Sequence, residues 1–362
     1  MADTTLNFSY GTNELPELRN WQQKWKRGAD RADYYSIAGF QGIPALQKAI
    51  SSRYKTRGVK GGLSPRQVMI TSGGTEAIFS SLLWLKSIGG TVLLQHPSWG
   101  YFADTLQLLD IPFSYSTSTS APELKTELNK LKVSGPVLFL LTHPSNPLSY
   151  IFPKDYLQVL SDWVYESKTN YVLSDEIYDW YVTSDDDYIS WSSLHGLDQS
   201  IIVHGYSKAT GLAGFRIGYL LAEPAVYKAL FPFHYSSSYG AALFSQYMAL
   251  EAQADEDKIR LLLDKTLSDR WAVLHEEWDD KTGLKLRPRA PGMYAYIDIQ
   301  GPIDLQKKYV HNLKSEAEVW VNPGWSFGVS DGGFRVNLCR PENVIRQGIR
   351  RMLNQAKQDI SQ

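Results

Sequence analysis

Lys208 and Arg216 stand on one glycine-punctuated loop, His204-Gly205-Tyr206-Ser207-Lys208-Ala209-Thr210-Gly211-Leu212-Ala213-Gly214-Phe215-Arg216-Ile217-Gly218. A lysine amine condenses with a carbonyl to give a Schiff base, and an arginine fork grips a phosphate. One amine and one guanidinium on a compact loop therefore suit a ligand with an aldehyde and a phosphate, as pyridoxal phosphate is held. The plainer reading is a solvated loop lysine. The loop alone leaves both open.

Other candidates follow short apolar runs. Gly73-Gly74-Thr75 comes after Val68-Met69-Ile70 and before an apolar helix predicted from Ala77 to Leu85. Strand, double glycine and helix aim backbone N–H groups at an anion, although such a turn also serves as a mere connection. Trp99 follows the run Thr91 to Leu94. Asn146, between Pro144 and Pro147, follows Val137 to Leu141, and the prolines fix the backbone that presents its amide. Asp175, Glu176 and Tyr178 follow Tyr171-Val172-Leu173. A carboxylate there needs a partner or water, because burying one alone is costly. A helix cap at Ser174 or Asp175 is the competing explanation.

These residues require elements that bring them together. Short strands alternate with helices from about residue 45 to 235, which predicts an α/β fold with a doubly wound, mostly parallel sheet. In such a sheet the carboxyl ends of the strands meet where ligands bind. Residues 1 to 44 look irregular apart from a short helix near Pro16 to Lys26. Pro44 then opens a helix carrying Leu46, Ile50 and Tyr54. Residues 241 to 278 read as helical, with an apolar stripe of Ile259, Leu263, Leu267, Trp271, Leu274 and Trp278. Strands are predicted at Tyr294 to Ile299, Glu318 to Val321 and Phe334 to Leu338, and a last helix near Pro341. The division expected is an N-terminal segment (1–44) joining the small domain, a large domain (45–240), and an interdomain helix with a smaller α+β domain (241–362).

Composition narrows the function. Lys and Arg total 37 against 38 Asp and Glu, a net charge of -1, so there is no basic excess for nucleic acid. The single cysteine, Cys339, excludes an intrachain disulfide and suits a reducing, cytoplasmic setting. No apolar stretch reaches membrane-spanning length, no signal peptide is evident, and no metal site is expected. Asn7-Phe8-Ser9 fits a glycosylation sequon, which without a secretory signal reads as chance.

Taken together, these motifs resemble the class I/II aminotransferases of the fold-type-I pyridoxal-phosphate enzymes, from about residue 35 to 352. The most specific parts are Asp175-Glu176-Ile177-Tyr178, Ser207-Lys208 with Arg216, and Asn322-Pro323-Gly324 before Phe327-Gly328. Asn146-Pro147 and Phe334-Arg335-Val336-Asn337 add weight. The resemblance implies a large domain that binds pyridoxal 5'-phosphate on its sheet. Lys208 is then the Schiff-base lysine and proton carrier, and Asp175 the partner of the pyridine nitrogen. Tyr178 and Asn146 donate to the 3′-oxygen, and Trp99 stacks on the ring. Gly73, Gly74, Thr75, Ser207 and Arg216 surround the phosphate. Arg335 holds the substrate carboxylate, with Asn146 and Gly11 beside it. The resemblance also implies a homodimer with the active site at the subunit interface. The chain departs from the pattern at Gly205, where the family usually has serine, and at Leu148-Ser149. Tyr34 and Tyr35 lie near the position of a tyrosine that crosses the dimer, whereas Ile37 occupies its expected spacing.

Transamination between an α-amino acid and a 2-oxo acid is the function the resemblance implies. Elimination, decarboxylation or cyclisation on the same cofactor stays open, since the choice depends on which bond is held perpendicular to the ring. A non-catalytic regulator is the remote alternative. Aromatics at Tyr101, Phe102, Trp180, Tyr181, Phe233 and Tyr235 are candidates for an apolar substrate wall, or for packing alone.

Overall fold

The computed structural model describes residues 5–32, 36–183 and 187–360, so Tyr34 and Tyr35 lie outside the described residues. Strand β1 (Leu6–Asn7) leads into an irregular stretch, residues 8–15, before the helix Arg19–Ala29. Pro44 opens the helix Pro44–Thr56, where its missing N–H leaves no bond unmade.

Seven strands form the main sheet: β2 (Val68–Thr71), β3 (Thr91–Gln95), β4 (Phe113–Ser116), β5 (Val137–Thr142), β6 (Asn170–Asp175), β7 (Ser200–Gly205) and β8 (Gly218–Ala222). Their order is β2-β8-β7-β6-β5-β3-β4. The pairs from β4 through β7 are parallel, and β8 runs antiparallel to both β7 and β2. This reversal follows from the connection. The loop from β7 to β8 carries Lys208 and Arg216 and contains only one short 3-10 turn, Ala213–Phe215. Without a crossover helix the chain cannot return to make a parallel neighbour.

Every residue of β5 and β7 is buried, because helices cover both faces of the sheet. Alternation in β5 divides its side chains between two cores. Leu138 and Leu140 join Ala77, Ile78 and Leu82 of the helix Gly74–Ser87, whereas Phe139 and Leu141 join Leu157 and Leu160 of the helix Lys154–Glu166. Strand β4 and the helices Ala121–Lys130 and Pro224–Ser238 extend the predicted pattern.

The helical run near 241–278 is divided into Leu243–Ala254 and Glu256–Glu277. Asp255 stands at the break, where its carboxylate accepts from Lys24 Nζ at 2.6 Å and Trp25 Nε1 at 3.0 Å. The stripe Ile259, Leu263, Leu267, Trp271 and Leu274 is buried in the core. A second sheet is antiparallel, built from β9 (Leu284–Leu286), β10 (Tyr294–Ile299), β12 (Asn322–Pro323) and β13 (Phe334–Asn337) in the order β12-β13-β10-β9. Between them, β11 (Val319–Trp320) pairs in parallel with β1. The helices Ile303–Ser315 and Glu342–Asp359 complete this part. No helix among the described residues is long and apolar enough to cross a membrane.

Candidate active site

The carboxyl ends of β5, β6 and β7 meet the start of the helix Gly74–Ser87 around a cavity of about 350 Å³. Gly11, Gly74, Thr75, Trp99, Asn146, Asp175, Tyr178, Ser207, Lys208, Arg216 and Arg335 all line it. Gly73 supports it from behind. Its φ is +86°, and a Cβ there would stand 2.6 Å from Arg216 Nη2, so only glycine lets the guanidinium lie against this turn. The helix that begins at Gly74 has no side-chain cap, which leaves its first N–H groups facing the cavity. Gly218 of β8 is needed for the same turn, since a Cβ would meet Gly74 N at 2.7 Å.

Residues 9–12 form a strap across the cavity, held by side chains from far along the chain. Lys208 Nζ donates to Gly11 O at 2.8 Å, and Arg335 Nη2 donates to Ser9 O at 2.8 Å. Asn322 Nδ2 also donates to Ser9 O, while Asn337 Nδ2 donates to Tyr10 O and Thr12 O. Arg335 Nη1 donates to Asn146 Oδ1 at 2.7 Å, which takes the oxygen end of that amide and leaves its NH₂ end as the donor. Arg335 is 3% exposed, and its Nε has no hydrogen-bond partner.

Burial sets the charge states. It pushes the Asp175 carboxyl up to about 7, against the N–H of Ile177 and the nearby Lys208 amine, which favour the ionised form. Burial pushes Glu176 up to about 8, helped by the neighbouring Asp179 charge. Glu176 Oε1 accepts from Trp191 N–H at 2.8 Å, whereas Oε2 has no partner. Asp179 is the opposite case. Burial opposes its charge, but Arg53, His204 and Arg57 hold it well below the usual carboxylate range. Arg53 Nη2 lies 2.5 Å and Arg57 Nη1 2.7 Å from Asp179 Oδ2, and Arg53 Nε donates to Glu256 at 2.8 Å. This buried network anchors the turn that presents Tyr178. Burial, and the adjacent Tyr294, raise the Tyr178 hydroxyl well above its ordinary value, with Arg335 opposing.

The geometry places other residues apart from the cavity. Gly205 does not line the cavity; a Cβ on it would face Ile217 O at 3.3 Å and the Ile177 side chain. Tyr101, Phe102, Trp180, Tyr181, Phe233 and Tyr235 do not line the cavity either; its aromatic residues are Tyr10, Trp99, Tyr178 and Tyr294. Trp180 is instead packed beside Arg53 and His204. Ser9, Tyr10, Thr12, Ile78, Thr142 and Tyr294 were not singled out by sequence. Nothing in the local spacing around Tyr294 marks it, since it reads as one member of an alternating strand.

The donor set fits pyridoxal phosphate. A lysine amine, a guanidinium beside an uncapped helix start, and a carboxyl whose burial outweighs the nearby lysine all face one cavity. Comparisons with known proteins find aminotransferases. The aspartate aminotransferase of Sulfolobus acidocaldarius is 25% identical over 363 residues, covering 96% of this chain and 88% of its own. The bifunctional aspartate aminotransferase and glutamate/aspartate-prephenate aminotransferase of Petunia hybrida is 26% identical over 332 residues, covering 86% of this chain and 68% of its own. Among solved structures, the aromatic aminotransferase of Pyrococcus horikoshii superimposes with a TM-score of 0.84 at 21% identity, over 98% of this chain and 96% of its own. The aspartate aminotransferase of Thermus thermophilus with maleate gives 0.83 at 20% identity, over 97% and 91%. These two show a shared fold. The model of the family described as aminotransferase class I and II matches residues 3–352, and on that match the chain belongs to the class I and II aminotransferases.

Proposed function

We propose that the protein moves an amino group from an α-amino acid to a 2-oxo acid, with pyridoxal 5'-phosphate attached at Lys208. The observation that carries this reading is the convergence of Lys208, Asp175, Arg216 and Arg335 on one cavity. When bound, the cofactor supplies an aldehyde that exchanges between amines and a ring that withdraws electrons from the α-carbon. Arg216, Ser207 and the N–H groups of Gly74 and Thr75 would hold its phosphate. Asp175 would keep the ring nitrogen protonated, since a cation beside a buried carboxyl restores its charge. Tyr178 and Asn146 would donate to the ring oxygen, and Trp99 would cover one face. Arg335 would exchange Ser9 O for the substrate carboxylate, a stronger acceptor in a charge-assisted pair. Lys208, released from Gly11 O, would carry the proton at the substrate α-carbon.

Borohydride reduction followed by peptide mapping tests the reading. The label is expected on Lys208 and absent from the Lys208→Ala variant; a label on another lysine refutes it. We also propose a homodimer with the cavity at the interface. Its support is an exposed aromatic cluster, in which Phe40 meets Tyr235 and Tyr239 edge-on at 5.0 Å and 4.9 Å, with Phe215 and Phe244 also exposed. A 41.0 kDa particle by light scattering would count against the dimer.

A further inference from the structure

Tyr294 lines the cavity but has no part in the assignments above. It is 3% exposed and touches both halves of the site. The Arg335 guanidinium carbon stands 3.9 Å from the centroid of the Tyr294 ring and 4.8 Å from that of Phe327, so two rings confine the arginine. The Tyr294 hydroxyl lies 3.3 Å from the Tyr178 hydroxyl, with the rings edge to face. Register explains the placement. Tyr294 pairs with Asn337 across β10 and β13, and Tyr296 with Arg335, so Tyr294 and Arg335 are diagonal neighbours on one face. A Cβ on Gly11 would stand 2.6 Å from Tyr294 Oη and 2.9 Å from Lys208 Nζ. The hydroxyl and the amine therefore flank one gap that a glycine leaves open.

We propose that Tyr294 is a positioning residue that links the two ends of the site: its ring fixes Arg335 for the substrate carboxylate, and its hydroxyl donates to Tyr178. The inference rests on the cofactor reading given above. Hydrogen counting sets the direction. A phenol has one hydrogen, and if Tyr178 spends its own on the cofactor's ring oxygen, Tyr294 must be the donor between the two. While Tyr178 is itself the donor, its contact with Tyr294 raises its hydroxyl; once its hydrogen goes to the ring oxygen the roles reverse, and a hydroxyl that accepts a hydrogen bond becomes a better donor in turn. Tyr294 thereby strengthens the bond from Tyr178 and lowers the proton affinity of the lysine-bound chromophore.

The test uses the holoenzyme and two readouts other than turnover: the pH titration of the chromophore's visible absorbance, and calorimetric binding of 3-phenylpropionate, a carboxylate with no amine. Tyr294→Phe keeps the ring and is expected to raise the chromophore's apparent pKa by about half a unit. Its 3-phenylpropionate Kd should stay within about twofold of the wild type. Tyr294→Leu removes ring and hydroxyl, and should raise the pKa and also weaken 3-phenylpropionate by about five- to tenfold. In a Tyr178→Phe background, adding Tyr294→Phe should raise the pKa no further, because the effect runs through Tyr178. An unchanged chromophore pKa in Tyr294→Phe overturns the proposal, as does an additive rise in the double variant. If the leucine variant does not fold, the two phenylalanine variants still decide. A wild type with no titrating chromophore, or one that survives Lys208→Ala, is a different result: it removes the cofactor reading itself.

Discussion

Replacing Glu176 by glutamine isolates one buried carboxyl directly behind the cavity. Its folded-state pKa is pushed up to about 8 from an ordinary 4.5, mainly by burial. A raised acid binds its proton more tightly in the folded state. The stability this gives is complete below the unfolded value and is lost as pH rises through the folded one. Between pH 5 and pH 8 the linkage amounts to about 3 kcal/mol, at about 1.4 kcal/mol per unit of pKa difference. Glutamine mimics the protonated form: its oxygen can still accept from Trp191 N–H, and no partner is lost at the position of Oε2. Urea unfolding at fixed protein and cofactor concentration, repeated from pH 5 to pH 8, measures the effect. The two proteins should be nearly equal at pH 5, and the glutamine variant should gain on the wild type by about 3 kcal/mol at pH 8. Parallel curves would show that Glu176 is ionised in the fold and that the argument from burial is wrong.

Arg53→Ala should cost about 3–5 kcal/mol in the same assay, because it leaves Asp179 and Glu256 buried without their shared partner. A loss below about 1 kcal/mol would mean that Arg57 and His204 suffice to hold the cluster. Lys208, Arg216 and Arg335 are the cations among the described lining residues, and each has an assigned anion or bond. An amino acid with an uncharged side chain should therefore exceed aspartate in kcat/KM by about tenfold or more, since a second carboxylate would be desolvated without a partner. A preference for aspartate in a substrate panel would mean that a cation reaches the site from another subunit.

Local patterns carried much of this architecture. The apolar runs of β5 and β7 and the glycine-rich loop after β7 mark the sheet and the edge that carries the cavity. Strand β4 was missed for a physical reason: Phe113-Ser114-Tyr115-Ser116 lies at the sheet edge with three of its four residues at least partly exposed, so it lacks the continuous apolar signal of a central strand. The acids of Asp175-Glu176-Ile177-Tyr178-Asp179 look alike in sequence, yet the structure gives them different charge states. What separates Asp179 is Arg53, which stands 126 positions away. Tyr294 was illegible for a related reason. Its proximity to Arg335 depends on the register between β10 and β13, and no spacing within either strand records that register.

The strap has a consequence for how the site comes into being during synthesis. Residues 9–12 are made early, but Asn322 and Arg335, which grip Ser9 O, lie 313 and 326 positions later. At about 5–20 residues per second, the ribosome needs roughly 15–65 s to reach them. For that interval Ser9 O lacks both partners and Lys208, 197 positions beyond Gly11, is the hold described above that already exists, on a sheet complete before β13 is made. Loop-closure entropy over such a span places this docking among the last events of folding. The nascent enzyme therefore passes through a stage in which its main sheet is formed and its mouth still gapes, and a cofactor arriving then would meet an open door.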